Sequence, residues 1–315
     1  LKSIRENPIL FKKKIQDRNV TVDIDNLLLL DKKNRELIQK KEKLEQEKKT
    51  ISKSQDKSQF EKSKKISSEI ETISNSQNNI QFEINKILSV IPNIALDEVP
   101  LGKNEKSNKE IKKDGKIPKF NFKIKSHYDL AKDNSLMDFD LAAKTTGSRF
   151  VFLKGKIAEL ERALSNFMLD VHTKEFGYQE ISPPLMASES TMFGTGQLPK
   201  FENDQFELKL EGSQRKFLIP TAEVVLTNMV RESTIKLSDL PLRLVASTPC
   251  FRKEAGSYGK DTKGMFRQHQ FYKVELVSIV EPNKCKSELE RMTHCAEEIL
   301  KKLKLPYRLV LLSVG

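Results

Sequence analysis

Isoleucine recurs through residues 66–91 in a rhythm that few folds accept. Ile66, Ile70, Ile73, Ile80, Ile84, Ile87 and Ile91, with Gln77 in the same series, follow alternating steps of four and three. Such steps hold one narrow apolar seam on one side of a helix, the pattern of a coiled coil. Upstream, Leu30, Leu37, Leu44 and Ile51 recur every seven residues, with Asn34, Lys41 and Lys48 at the intervening core-type positions. A polar stretch from Ser52 to Ser63 separates the two seams. Together they predict an antiparallel helical hairpin over about residues 27–91, roughly 40–45 Å long at 1.5 Å per residue, ended by Pro92. Neither stripe is wide enough for a globular core, so the hairpin is expected to project as an arm with Lys-rich faces. An RNA-touching lever and a dimerisation coiled coil or spacer both fit that pattern.

The arm belongs to an expected N-terminal domain, residues 1–103, which opens with a short helix within the first 25 residues. A charged Lys/Asn/Gly stretch, residues 104–125, reads as a linker. Residues 126–315 then mix strands with helices. Lys156 to Phe176 is an amphipathic helix stopped by Gly177. Tyr178 to Ile181, Gln205 to Leu210, Lys216 to Ile219, Leu242 to Ala246 and Tyr307 to Leu312 read as strands, and Asn283 to Leu303 as a helix. A further helix starts after Pro220. With no βαβ alternation, no GxGxxG and no GxxxxGK[ST], a doubly wound nucleotide fold is not expected. The fold class is α+β: the helical arm, then a largely antiparallel sheet flanked by helices.

The net charge of +12 favours a polyanionic partner (nucleic acid, an anionic membrane surface or phosphorylated substrates), although solubility alone also explains it. Cys250, Cys285 and Cys295 form no CxxC pair and no zinc spacing, so no metal ligands are assignable. No apolar run approaches a membrane span, and a soluble, cytoplasmic protein is expected.

Thr248 to Val277 carries the chemistry. It reads as two strands around a Gly/Ser/Asp/Lys loop. Residues two apart share a strand face, which would gather Arg252 with Glu254 on one strand and Arg267, Phe271 and Glu275 on the other. Charges facing a core cost several kcal/mol each, so this face is expected to meet a polar ligand.

The segment FRKEAGSYGKDTKGMFRQHQFYKVE, residues 251–275, resembles motif 2 of class II aminoacyl-tRNA synthetases in the form found in seryl-tRNA synthetases. GYQEISPPLM resembles motif 1, with its terminal proline at Pro184; GTGQLPKF and PTAEV resemble further seryl-type signatures. IPNIALDEVPLG, IRENP and the heptad hairpin resemble that family's N-terminal domain. The resemblance implies a class II antiparallel catalytic sheet, a homodimer joined through the motif 1 region, and an arm that grips the long variable arm of serine tRNA. It implies serine activation by ATP to seryl-adenylate, then transfer to the 3′ end of serine tRNA and of selenocysteine tRNA.

Carried onto this chain, Arg252 would hold an α-phosphate oxygen and the attacking carboxylate. Glu254 would accept from the adenine amino group, Arg267 would bind the γ-phosphate and Phe271 would stack on adenine. Lys253 and Gln268 would add contacts to ATP. Thr221, Ala222, Glu223 and Glu275 would surround serine, and Mg²⁺ would bridge the phosphates. His269 is expected to be structural or to support a neighbouring site residue rather than to act on substrate. Ser257 to Gly264 reads as a loop that orders on ATP or the tRNA acceptor end. The chain ends at Gly315, before the family's motif 3, so as written it is expected not to form adenylate efficiently. Two rival readings are a non-catalytic RNA-binding protein built on the arm and a synthetase-like ligase that charges a carrier protein.

Overall fold

The computed structural model describes residues 1–54, 57–133, 135–212, 214–255 and 263–314. The chain divides into two compact units. The first is Leu1–Lys113 with Arg308–Gly315, and the second is Asp114–Tyr307.

In the first unit the expected single opening helix is two, Lys2–Glu6 and Pro8–Asp17. Asn7 breaks them: its side chain accepts from the Leu10 N–H at 3.1 Å, and Pro8, which has no N–H to satisfy, starts the second helix. The arm follows as helices Ile24–Ser54 and Phe60–Leu88. At 1.5 Å per residue the longer spans about 45 Å. Three cross-pairs fix an antiparallel arrangement: Asn34 with Gln81 at 3.3 Å, Lys40 with Glu69 at 2.6 Å and Lys62 with Glu47 at 2.7 Å. The heptad positions are the ones that lose solvent, Ile51, Ile66, Ile73 and Ile84 being buried and Leu37, Lys41, Leu44, Lys48 and Ile70 partly so. At its base, Ile4, Ile24, Leu27 and Ile84 form a closed apolar cluster. Asp31, 5% exposed, sits on the seam and is held by Arg5 through two bonds of 2.9 and 3.0 Å and by Arg35 at 3.1 Å. Burying a carboxylate is offset only by such partners.

The structure corrects the expected linker. Lys109–Asp114 is a strand, paired with Tyr307–Leu311. Backbone pairing needs no apolar side chains, so a charged segment can enter a sheet, and its partner lies almost two hundred residues away.

The second unit is built on two ten-residue strands, Leu242–Phe251 and Gln270–Ile279, antiparallel from Leu242↔Ile279 to Phe251↔Gln270. The first absorbs both the predicted Leu242 to Ala246 strand and the start of the predicted hairpin. Gln179–Glu180 joins its outer edge in parallel, opposite Leu244 and Val245; the long intervening chain supplies the crossover that a parallel pair requires. That partner stops short of Pro249, so the proline's missing N–H removes no ladder bond.

One sheet face carries Val245, Val274 and Leu276, packed with Leu169 of the helix Lys156–Lys174, with Phe176 and Tyr178 just after it, and with Cys295 of the helix Cys285–Lys302. The other face changes character along its length. Leu244, Ala246 and Val277 pack on Ala222 and Leu226 of the Glu223–Thr227 helix region, while Phe271, Lys273 and Glu275 continue the same parity towards the loop end. A second sheet orders Met186–Ser188, Lys216–Leu218 and Glu207–Leu208, all antiparallel. No described helix is long and apolar enough to cross a membrane.

Candidate active site

The ladder ends at Phe251, and the site begins where it ends. Arg252 extends the pairing one step, its N–H donating to the His269 carbonyl at 3.0 Å. Its Nε donates to the Pro220 carbonyl at 3.2 Å, and the guanidinium lies 5.4 Å from the Phe271 ring centre. The Arg fork is thereby aimed by backbone and an aromatic face rather than by a carboxylate, which leaves its charge available to an anion.

Period-2 parity does not carry Glu254 and Arg267 to the site, a correction to the strand reading. Both lie outside the strands. Glu254 adopts a left-handed backbone, φ 51°, and Asp204 holds the turn, accepting the Lys253 N–H on its carbonyl at 2.9 Å and the Ala255 N–H on Oδ1 at 2.8 Å. The loop geometry still brings the two together, with Arg267 donating to Glu254 Oε2 at 2.8 Å. Residues 256–262, most of the loop expected to order on ligands, lie outside the described residues.

Deeper on the same face is a polar network. Lys273 Nζ pairs with Glu275 and donates to Thr221 Oγ1 at 3.1 Å, while Thr221 donates to Glu275. The Glu223 N–H donates to Thr221 Oγ1 at 3.3 Å. The Glu223 carboxyl keeps surface open to solvent, yet its pKa is raised, first by partial burial and then by Glu275, with Lys273 and Arg252 opposing. Lys273 was missed as a site residue, although the parity that selects Phe271 and Glu275 selects it equally.

Thr221, Arg252, Glu254 and Arg267 line one cavity of about 600 Å³, together with Pro220 and residues of the 197–205 loop. Other predicted residues lie apart. Gln268 is buried, donating to the Gly264 carbonyl at 2.8 Å, and with Phe271 it lines a separate cavity of about 460 Å³. Lys253 turns its ammonium over the Phe206 ring at 5.8 Å. Ala222 is fully buried in the core, which leaves none of its surface to a ligand. His269 bonds the Arg252 carbonyl through Nδ1 at 2.9 Å and packs between Phe150 and Phe206, a structural position as expected. Burial raises the Cys250 thiol, which makes it a poor nucleophile. Among the described residues no three metal-ligating side chains converge.

The seryl-tRNA synthetase N-terminal domain matches residues 1–95, and the tRNA synthetase class II core domain (G, H, P, S and T) matches residues 206–315. The serine–tRNA ligase of Pelagibacter ubique is 63% identical over 316 residues, covering all of this chain and 75% of that protein. That of Ehrlichia canis is 48% identical over 320 residues, covering 99% of this chain and 75% of its own length. Among solved structures, seryl-tRNA synthetase from Pyrococcus horikoshii complexed with ATP superposes with a TM-score of 0.89 at 32% identity, over 100% of this chain and 76% of that one. The cytoplasmic enzyme of Naegleria fowleri in complex with AMP gives 0.86 at 28%, over 98% and 72%. With both the arm and the catalytic core matched in order, the chain belongs to the seryl-tRNA synthetase family.

Proposed function

We propose that this chain serves the two-step serine–tRNA ligase reaction with the residues described above. The observation that supports it is that Lys273 and Glu275 share a strand face, Thr221 bonds both, and the Arg252 guanidinium follows on the same side over Phe271; the fork would take phosphate and the network serine. Serine would place its ammonium by Glu275 and Glu223 and its hydroxyl by Thr221. A site that hydrogen-bonds the hydroxyl leaves its own polar groups unpaired with alanine, which gives rejection. Arg252 would bridge the serine carboxylate and the α-phosphate and stabilise charge on phosphorus as the carboxylate attacks and pyrophosphate leaves. The terminal tRNA hydroxyl then attacks the acyl carbonyl and AMP departs. Positioning and charge carry both steps, with no protein nucleophile.

ATP would divide the Glu254–Arg267 pair, Glu254 turning to the adenine amino group and Arg267 to the γ-phosphate. Phe271, under Arg252, would be the platform for adenine; Gln268 lines the same cavity, and Lys253, whose ammonium lies over Phe206, would contribute through its backbone. The described carboxylates form no cage, so Mg²⁺ would come on the ATP phosphates, supplying charge neutralisation there.

The Lys-rich arm would bind serine tRNA along its variable arm. A homodimer through the motif 1 region near Pro184 is supported by the exposed apolar side chains of Leu160, Leu185 and Met186. Free cysteines and ATP- and tRNA-dependent chemistry suit the cytoplasm. The deciding experiment is charging, by the protein that carries this sequence, of serine tRNA with and without its variable arm. Loss of charging without that arm is the expected result; indifference to the arm would refute the reading.

A further inference from the structure

The reaction handles two adenines, one in ATP and one at the tRNA terminus, and the site offers two aromatic platforms. Phe271 lies beneath Arg252 but lines its own cavity. The cavity that holds Arg252 and Thr221 has a different aromatic wall, made by Phe201 with Gln197 and Gln205. Phe201 is 43% exposed, although the apolar ring would gain from cover. Lys200 places its ammonium 5.2 Å from that ring centre. Gln205 is only 2% exposed, and its Nε2 donates to the Phe201 carbonyl at 3.1 Å. Its Oε1 is buried without a hydrogen-bond partner among the described residues. An orphaned amide oxygen at that depth costs free energy unless a donor arrives.

Chemistry narrows what the donor can be. In the second step a nucleoside hydroxyl must approach within about 3–3.5 Å of the acyl carbon. That carbon would be held beside Arg252 and Thr221, so the nucleoside must rest on a wall of this cavity that neither phosphates nor serine occupy. The charged wall of Arg252, Arg267 and Glu254 suits ATP. The wall of Gln197, Phe201 and Gln205 carries a half-exposed aromatic ring, two amides and a flanking ammonium, and the Asp204 carboxylate between them is already engaged by the Ala255 N–H. Ring, amide and ammonium are the combination that stacks a base, hydrogen-bonds its edge and meets the adjoining phosphodiester.

Resting on the function proposed above, we infer that the Gln197–Phe201–Gln205 wall is the seat of the tRNA's terminal adenosine. The base stacks on Phe201, Gln205 Oε1 accepts from the adenosine, and Lys200 faces its phosphate.

The test separates the two steps. Serine-dependent ATP–pyrophosphate exchange reads activation without tRNA, and single-turnover transfer from preformed adenylate reads the second step. Phe201→Ala should cost transfer about tenfold or more beyond any loss in exchange, the range of one base–aromatic stack. Gln205→Leu should cost transfer roughly fivefold beyond exchange, and Gln205→Glu, which keeps an acceptor, less. A tRNA whose terminal nucleotide lacks its base should lose the same factor with unmodified protein and lose nothing further with Phe201→Ala, a closed double-mutant cycle. Equal losses in exchange and transfer, or independent losses from the abasic tRNA and Phe201→Ala, would overturn the assignment. If the unmodified protein charges no serine tRNA, it is the functional reading itself that fails.

Discussion

Replacing Glu288 by Gln should loosen the strand that delivers Arg252. Glu288 is 7% exposed on the helix Cys285–Lys302 and takes both Nε and NH2 of Arg243, at 2.7 and 2.8 Å, with Arg291 at 3.4 Å. Arg243 stands near the start of the strand that ends beside Arg252. Removing one partner of a buried pair costs about 3–5 kcal/mol. The Arg243 and Arg291 side chains keep 28% and 27% of their surface, so water recovers part of the loss and about 2 kcal/mol is the better figure. For a unit of this size that is roughly 4–8 °C in Tm, readable by calorimetry at pH 7. The pH dependence adds a second check. The Glu288 pKa is lowered, chiefly by the Arg243 hydrogen bonds. Its stabilisation is therefore complete above the unfolded carboxylate value, about 4.3, and disappears as pH falls through the depressed folded value. The gap between wild type and variant should narrow in acid. A shift below about 1 °C at pH 7, or a gap undiminished in acid, would refute the argument.

Other outcomes follow from the site and the arm. Arg252→Lys, which keeps the charge but loses the fork, should lower serine-dependent pyrophosphate exchange by about 10²-fold. Serine affinity measured by calorimetry should weaken as pH falls through the raised Glu223 pKa, because protonation removes a negative charge facing the ammonium, and Glu223→Gln should flatten that dependence. Replacing the exposed arm lysines Lys43, Lys49 and Lys65 by Gln should reduce the salt slope of tRNA binding by about 0.7–0.9 for each phosphate no longer neutralised, leaving exchange as before.

What the sequence disclosed depended on how local the cause was. The arm was legible because each seam position answers to neighbours three and four residues away, so even Lys41 and Lys48 are half-buried where the heptad puts them. Phe271 and Glu275 were legible because strand parity is a property of the backbone, and Lys273 was lost only by not applying that rule to every second residue. Glu254 and Arg267 answer instead to a left-handed turn stapled by Asp204, about fifty residues distant in the chain. Ala222 illustrates the limit of a motif: in PTAEV the Thr lines the pocket while the methyl of the next residue fills the core. The pairing of Lys109–Asp114 was hidden because its complement is the final strand.

That pairing also sets a clock. The Ser313 N–H donates to Asn108 Oδ1 at 2.8 Å, and the Val314 N–H to the Pro100 carbonyl at 3.1 Å. The N-terminal unit is thus finished by residues made about two hundred positions after its strand Lys109–Asp114. At 5–20 residues per second, translation would leave that strand unpartnered for about 10–40 s. A newly made chain could therefore present a folded helical arm to RNA well before the edge at its base is sealed.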